Sequence, residues 1–90
     1  SSGYIAVSNG TSFGFVDQGG NVKLDYSYED AKSFSEGLAP VKVGGRWGYI
    51  NERGSLVIDA IFDDAQPFRN GIAIATFNGH AAILTLDDIG

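Results

Sequence analysis

Apolar and polar residues alternate in short runs along the chain, and links that contain glycine separate these runs. Near the middle, the run 38–43 is followed by Gly44-Gly45 and then by a second run, 46–51. Two short β-prone runs joined by two glycines predict an antiparallel hairpin with a primed turn. Asn78-Gly79 predicts a type I′ turn later in the chain, and Gly10-Thr11 predicts a type II′ link near its start.

The same pattern recurs at intervals of 34 residues without a gap, so that Gly3, Gly37 and Gly71 coincide. Other identical pairs are Gly14 with Gly48, Gly20 with Gly54, Ala31 with Ala65 and Phe34 with Phe68. We predict one domain over residues 1–90, made of units 3–36 and 37–70 and a partial unit 71–90. A fixed period of this length is typical of repeat proteins, whose units bury apolar surface against their neighbours.

A turn and a third strand are expected after each hairpin. The segments 17–20 and 51–54 fit a type I turn closed by a left-handed glycine, and in the third unit Asp88 would take the glycine's place. Third strands are predicted at 21–24 and 55–58, with a loop or short strand at 62–71. Asp-Asp, Pro and Asn-Gly in that last segment make a long helix improbable.

The two-residue links fix the register, so the residues on each hairpin face can be derived. One face pairs Val41 with Gly48, and the glycine predicts a close approach of another backbone. The opposite face carries Trp47 and Tyr49, with Lys42 across from Trp47. Both faces are largely apolar, and we expect neighbouring units to cover them. The equivalent pairs are Val7 with Gly14, Ile5 with Val16, Ala39 with Ile50, Ala75 with Ala82 and Ala73 with Leu84.

The favoured fold is therefore all-β, with tandem antiparallel hairpin repeats stacked into a solenoid-like array. A propeller-like arc and a closed pseudo-threefold barrel are the alternatives that the periodicity allows. An exposed terminal unit could be covered by self-association, so a homo-oligomer is a further expectation.

The amino-acid composition argues against several classes of function. The 90 residues include no cysteine, which excludes disulfides, zinc–thiolate sites and thiol catalysis and is compatible with the cytoplasm as well as the cell envelope. The net charge is −5 and the six basic residues are scattered, so we expect no nucleic-acid partner. No apolar run approaches the roughly 20 residues of a membrane-spanning helix, and we expect no membrane insertion.

The aromatic face offers the candidate binding residues. Trp47 and Tyr49, with their repeat equivalents Phe13 and Phe15, could stack on sugars or form a protein hot spot, and Lys42 could add a cation–π contact to Trp47. The alternative, which the two apolar faces favour, is that these rings are core residues between units.

The acidic pairs and the single histidine show no catalytic arrangement. Glu29-Asp30, Asp63-Asp64 and Asp87-Asp88 are adjacent residues that point to opposite faces in a strand, whereas glycoside hydrolysis needs two facing carboxylates. We expect them to cap turns or to keep sheet edges soluble. His80 follows a turn, and no nucleophile motif accompanies it. We therefore predict no catalytic residue, metal ligand or cofactor.

Residues 34–54, with Trp47-Gly48 at their centre, resemble the WG (KWG) repeat, and the resemblance continues through Phe62-Asp63-Asp64-Ala65. It covers essentially the whole chain. Phe13-Gly14 and Ala81-Ala82 replace the Trp-Gly pair in the outer units, which puts a ligand role of the tryptophan in doubt. The resemblance implies a bacterial protein with many repeat copies and a binding role, and it implies no catalytic or ligand residues.

The leading function hypothesis is a non-catalytic module for protein–protein interaction or structural scaffolding. The alternative is glycan or cell-wall binding through the aromatic face, which requires Trp47 and Tyr49 to be solvent-exposed. A third hypothesis, an enzyme, would require Asp30, Asp64 and His80 to meet in one cleft.

Overall fold

The computed structural model describes residues 3–88, and their backbone forms short antiparallel strands with one 3-10 helix at the end. The strands are β1 (Ile5–Ser8), β2 (Phe13–Val16), β3 (Val22–Tyr28), β4 (Asp30–Ala31), β5 (Ala39–Val43), β6 (Arg46–Ile50), β7 (Leu56–Phe62), β8 (Asp64–Ala65), β9 (Ile72–Phe77) and β10 (His80–Thr85); the 3-10 helix is Leu86–Asp88. The all-β fold class is confirmed. Ile89 and Gly90, the end of the predicted third unit, lie outside the described residues. Within residues 3–88, no helix has the length and apolar character needed to cross a membrane.

The three hairpins β1–β2, β5–β6 and β9–β10 have the predicted registers. The pairs Val7 with Gly14, Val41 with Gly48 and Ala75 with Ala82 are all present. Gly44 and Gly45 both have positive φ angles, 61° and 82°, as a type I′ turn requires. Asn78 and Gly79 repeat this geometry at 50° and 81°.

The first hairpin reaches its register through a slightly longer link. The predicted link was Gly10-Thr11, but β1 ends at Ser8 and β2 begins at Phe13. Each strand is therefore one residue shorter than predicted, and the link is longer by the same two residues. The Asn9 side chain explains this, because its Oδ1 accepts hydrogen bonds from the backbone N–H groups of Thr11 (3.0 Å) and Ser12 (2.9 Å). The side chain thus fixes the turn locally.

The type I turns after the first two hairpins are confirmed, and the third unit differs. Gly20 and Gly54 have φ angles of 86° and 82°, and the Gly54 N–H donates to the Asn51 carbonyl at 2.9 Å. At the corresponding place the third unit has the 3-10 helix Leu86–Asp88 rather than the expected turn. Leu86 packs against the core, and its N–H donates to the Gly71 carbonyl at 3.0 Å.

The third strands are longer than predicted, since β3 and β7 each run over seven residues rather than four. The register of β6 and β7 shows why. Trp47 pairs with Phe62 and Tyr49 with Ile58, so the three residues 59–61 stand opposite the single residue Gly48. β3 has the same bulge opposite Gly14. A bulge of this kind bends the strand and increases its twist.

The bulge passes so close to the glycine that no side chain fits there. A Cβ atom built on Gly48 would lie 2.6 Å from the Ile58 carbonyl oxygen and 2.8 Å from the Ala60 nitrogen. On Gly14 it would lie 2.8 Å from the Leu24 carbonyl oxygen. The predicted close approach of a backbone is confirmed, and that backbone is the third strand of the same unit.

The strands form three sheets, ordered β1-β2-β3, β4-β5-β6-β7 and β10-β9-β8. β4 comes from the end of the first unit and pairs with the hairpin of the second, and β8 links the second unit to the third in the same way. The predicted stacked array is confirmed, and the sheets do not close into a barrel within the described part of the chain. The array measures 35 × 25 × 17 Å.

Two apolar clusters lie at the junctions between units. The first junction joins Phe15, Ala31, Phe34, Ala39, Val41 and Ile50. The second joins Leu38, Trp47, Tyr49, Phe62, Ala65, Phe68, Ala73 and Ala75. The middle hairpin therefore turns the face with Ala39 and Val41, the inner face, towards unit one and the face with Trp47 and Tyr49, the outer face, towards unit three. Coverage of both faces by neighbouring units is therefore confirmed for the middle hairpin.

We predict that Gly48→Val destabilises the chain by about 3 kcal/mol or more, because its side chain would overlap the β7 backbone and force the bulge to move. Lys42→Ala, on the partly exposed side of β5, should change the stability by less than about 1 kcal/mol. Urea unfolding followed by circular dichroism measures both. Equal unfolding midpoints for the two variants would contradict the packing role of Gly48.

Candidate functional site

The predicted aromatic residues lie along the second strand of each hairpin. Strand alternation places Trp47 and Tyr49 on the outer face of β6, and Phe13 and Phe15 on the matching face of β2. Tyr49 and Phe15 are 0% exposed and Trp47 is 6% exposed, whereas Phe13 is partly exposed. Most of the proposed aromatic platform is therefore core, as the alternative interpretation expected.

The buried rings lock each hairpin to the loop that follows it. Tyr49 contacts Phe68 edge-to-face with 5.1 Å between the ring centroids, and Phe15 contacts Phe34 in the same way at 4.9 Å. The Tyr49 hydroxyl donates a hydrogen bond of 2.6 Å to the Gln66 carbonyl. Burial of this hydroxyl raises the pKa of Tyr49 to about 12. Tyr49 and Phe15 therefore stabilise the packing of each hairpin against the loop that follows it.

A cation lies over Trp47, but it is not the residue that the sequence predicted. Lys42 does pair with Trp47 across the two strands, as expected. The ammonium over the ring is that of Lys32, 5.0 Å from its centroid. The same Nζ donates to the Ala65 carbonyl at 2.7 Å and lies 3.3 Å from an Asp64 carboxylate oxygen. Lys32 thus joins unit one to unit two. Local sequence patterns could not predict this contact, because Lys32 is far from Trp47 and Ala65 along the chain.

Of the predicted acidic pairs, Glu29 and Asp63 cap turns, which is one of the two roles expected for these pairs, and the turns belong to the next unit. The Glu29 carboxylate accepts hydrogen bonds from the N–H groups of Gly44 and Gly45 at 2.7 and 3.1 Å. Its repeat equivalent Asp63 accepts from Gly79 at 3.0 Å and forms an ion pair of 2.6 Å with Arg46. These carboxylates hold the hairpin turns in place.

Sequence reasoning missed Glu36, which acts across a whole repeat. Its carboxylate accepts hydrogen bonds from Asn70 (2.6 Å) and Gly71 (2.8 Å). Glu36 and Asn70 both have left-handed backbones, with φ angles of 56° and 53°. The 34-residue period aligns Glu36-Gly37 with Asn70-Gly71. This alignment was the one feature of the sequence that could have indicated a link between the two turns.

The remaining polar candidates do not converge. The Oδ1 atoms of Asp30 and Asp64 accept hydrogen bonds from the N–H groups of the next residues, Ala31 and Ala65, at 2.8 and 2.9 Å. His80 is exposed at the start of β10, where it pairs with Phe77. Asp87 is exposed, and the side chain of Asp88 lies outside the described part. Among the described residues, no group of three or more His, Asp or Glu side chains is arranged to hold a metal ion.

One surface stands out that the sequence did not single out as a site. Within residues 3–88, no segment covers the apolar side chains of Ile72, Ile74, Ala81 and Ile83 on the outer face of the third hairpin, a face that they share with Thr76 and Thr85. Ile72 is 48%, Ile74 54% and Ile83 70% exposed. The equivalents of Ile72 and Ile83 in the middle unit, Leu38 and Tyr49, are 7% and 0% exposed.

A family model described as WG containing repeat matches residues 13–47 and then, in tandem, residues 47–79. The two matches meet at Trp47 and together span more than half of the chain. The chain belongs to the WG containing repeat family. No curated protein and no solved structure shows significant similarity to it.

The family's repeat begins at a different point from the units predicted here. Each WG match starts on the second strand of one hairpin and ends in the next hairpin. It therefore encloses one complete junction, with the ring on β2 or β6, the bulged third strand and the loop. This junction is the structural element that the WG chain repeats.

We predict that Tyr49→Phe lowers the stability of the WG chain by about 1 kcal/mol at neutral pH, because the Gln66 carbonyl loses its partner. The folded pKa of Tyr49, about 12, lies above its ordinary value of 10.0. Its contribution is therefore complete below pH 10 and is lost as the pH rises through 12. In thermal melts at a series of pH values, the melting temperature of Tyr49→Phe should therefore fall less at alkaline pH than that of the wild-type chain. Tyr26→Phe, at a partly exposed position on β3, is the control and should retain the alkaline loss. Identical alkaline profiles for Tyr49→Phe and wild type would contradict the assignment.

Trp47 is the chain's only tryptophan, so its fluorescence reports directly on the outer face of the middle hairpin. We predict a blue-shifted emission that iodide quenches weakly and that soluble polysaccharides leave unchanged, because the ring is buried. Denatured chain provides the exposed reference. A shift of the emission on addition of polysaccharide would instead show that sugar reaches the ring.

Proposed function

We propose that the WG chain is a non-catalytic module that binds another protein, or serves as a scaffold, through the outer face of its third hairpin. One observation carries the proposal. Side chains such as Glu29, Lys32 and Tyr49 hold one hairpin to the next segment. By contrast, no described segment covers the four apolar residues of this face. Apolar patches that remain open on a small protein are typical of interaction surfaces.

The charges support a protein partner over nucleic acid. Lys32, Arg46 and Lys23 each lie within 4 Å of a carboxylate, at 3.3, 2.6 and 3.8 Å. These contacts reduce the positive charge available to a phosphate backbone in a chain whose net charge is already −5.

The burial of the aromatic pair supports protein over glycan. A sugar-stacking platform needs exposed ring faces, and Trp47 and Tyr49 are enclosed by the loop that carries Ala65 and Phe68. The aliphatic residues of the third hairpin offer no ring in their place. We therefore expect a partner that contributes apolar side chains.

Affinity capture tests the proposal. The immobilised chain, Ile83→Asp and Ile61→Asp are each exposed to a lysate of the source organism. Ile61 is 47% exposed on β7, away from the outer face, and provides the matched control. We expect a protein that binds wild type and Ile61→Asp but not Ile83→Asp. Absence of any Ile83-dependent protein, or substrate turnover by the isolated chain, would overturn the proposal.

A further inference from the structure

We propose that the turn Glu36-Gly37 is a binding site for a carboxylate on an acidic side chain of another polypeptide, with Arg53 as the cation beside it. The site belongs to the middle unit and shares no residue with the outer face of the third hairpin, so the inference goes beyond the proposed function. It is carried by two free backbone N–H groups, by the carboxylates that the equivalent turns hold, and by the arginine in the adjacent cleft.

The backbone of this turn has the geometry of an anion site. Glu36 and Gly37 are both left-handed, with φ angles of 56° and 86°. Successive N–H groups in such a turn form a concavity that binds anions. Within residues 3–88, neither of the two N–H groups has a hydrogen-bond acceptor, and a Cβ atom built on Gly37 would meet nothing within 4 Å. The turn is therefore open to a ligand.

Every other turn of this kind in the described part of the chain holds a carboxylate. The turns with two successive left-handed residues are Glu36-Gly37, Gly44-Gly45, Asn70-Gly71 and Asn78-Gly79. Glu29 accepts from Gly44 and Gly45, Glu36 accepts from Asn70 and Gly71, and Asp63 accepts from Gly79, over distances of 2.6–3.1 Å. The chain itself thus shows which chemical group this backbone binds.

The sequence explains why Glu36-Gly37 receives no such group from its own chain. Glu36 serves the turn that lies 34 residues ahead, and the residue 34 positions before Glu36 is Ser2, which has no carboxylate. Glu36 does not serve its own turn either, because its carboxylate is bound to Asn70 and Gly71. The turn is open because of the residue at this position, and the carboxylate comes from a partner.

The cleft beside the turn supplies a positive charge. It has a volume of about 700 Å³, within the usual range for ligand sites, and it is lined by Glu36, Gly37, Asn51, Glu52 and Arg53. The Asn51 Oδ1 atom accepts a hydrogen bond of 3.0 Å from the Arg53 N–H and so fixes the backbone that carries the guanidinium. Arg53 forms no ion pair with a described carboxylate. Its guanidinium can therefore add charge-assisted hydrogen bonds to a bound carboxylate.

The charges around the cleft favour one carboxylate over other anions. The repeat equivalent of Arg53 in the third unit is Asp87, so the arginine belongs to the unit with the open turn and is absent where Glu36 already fills the turn. Glu52 lines the cleft as well, and its negative charge opposes a doubly charged ligand such as a phosphate monoester. The ligand class is therefore a Glu or Asp side chain.

Amide NMR of the isotopically labelled chain at neutral pH tests the site, with sodium acetate as the probe. We expect the amide protons of Glu36 and Gly37 to shift downfield and to saturate with acetate, but not with sodium chloride at equal ionic strength. The amides of Asn70 and Gly71 are the internal reference and should not respond. Arg53→Gln should weaken acetate binding roughly threefold or more. Lys42→Gln removes a positive charge outside the cleft and should bind acetate like wild type.

A second variant supplies the carboxylate from within the chain. Ser2→Glu has the same sequence offset to Glu36-Gly37 as Glu36 has to Asn70-Gly71. It should slow hydrogen exchange of the Glu36 and Gly37 amides and abolish their response to acetate, because the intramolecular group has the higher effective concentration. Ser2→Gln, without the charge, is the matched control and should still respond.

A capped peptide, acetyl-Gly-Glu-Gly-amide, should compete with acetate, and its Gln analogue should not. Acetate binding without peptide binding would overturn the polypeptide ligand. Equal responses to acetate and chloride would overturn the carboxylate site, and a Ser2→Glu chain that responds to acetate like wild type would overturn the equivalence of the two turns. Ile83-dependent capture of a partner tests the proposed function separately and is unaffected by any of these results.

Discussion

The contact between a glycine and the backbone of a bulged strand governs the geometry of each complete repeat. At Gly48 the Ile58 carbonyl comes so close that no side chain would fit. Because glycine has no side chain, three residues of β7 can lie opposite this one residue of β6. The bulge bends the strand, and the segment that follows carries Phe62 and Phe68 onto the outer face of its own hairpin. With a larger residue in place of the glycine, the strand could not follow this path and the loop would not reach Tyr49.

The junctions between hairpins, rather than the hairpins themselves, hold the cores of this small chain. A two-layer junction combines the outer face of one hairpin, its third strand and loop, and the inner face of the next. Lys32 and Glu36 add polar links between units, the first to Asp64 and the Ala65 carbonyl and the second to Asn70 and Gly71. Isolated three-stranded sheets are marginal in water, so the stacking of units supplies the buried area that one unit lacks.

The third hairpin keeps the backbone of the repeat while its surface chemistry changes. Its type I′ turn and register follow the middle hairpin, yet Ala81, Ala82 and Ile83 replace a ring, a glycine and a second ring. Each replacement removes a feature that the internal junctions need. Within the described residues, Ile72, Ile74 and Ile83 are exposed, whereas their equivalents in the middle hairpin, Leu38, Pro40 and Tyr49, are buried.

Local sequence was sufficient for the repeat, the hairpins and their registers, because Gly44-Gly45 and Asn78-Gly79 determine their turns within a few residues. It also identified Gly48 as a place of close backbone contact, and turn capping was one of the two roles that it offered for the acidic pairs, the one that Glu29 and Asp63 take. The length of β7, the position of Lys32 over Trp47 and the reach of Glu36 to Asn70 were decided only in the folded chain, since each joins residues far apart in sequence. Tertiary structure likewise decided the fate of the two apolar faces. A pattern of side chains shows that a face is apolar, but whether a loop buries it, as at Tyr49, or leaves it open, as at Ile83, depends on what packs against it.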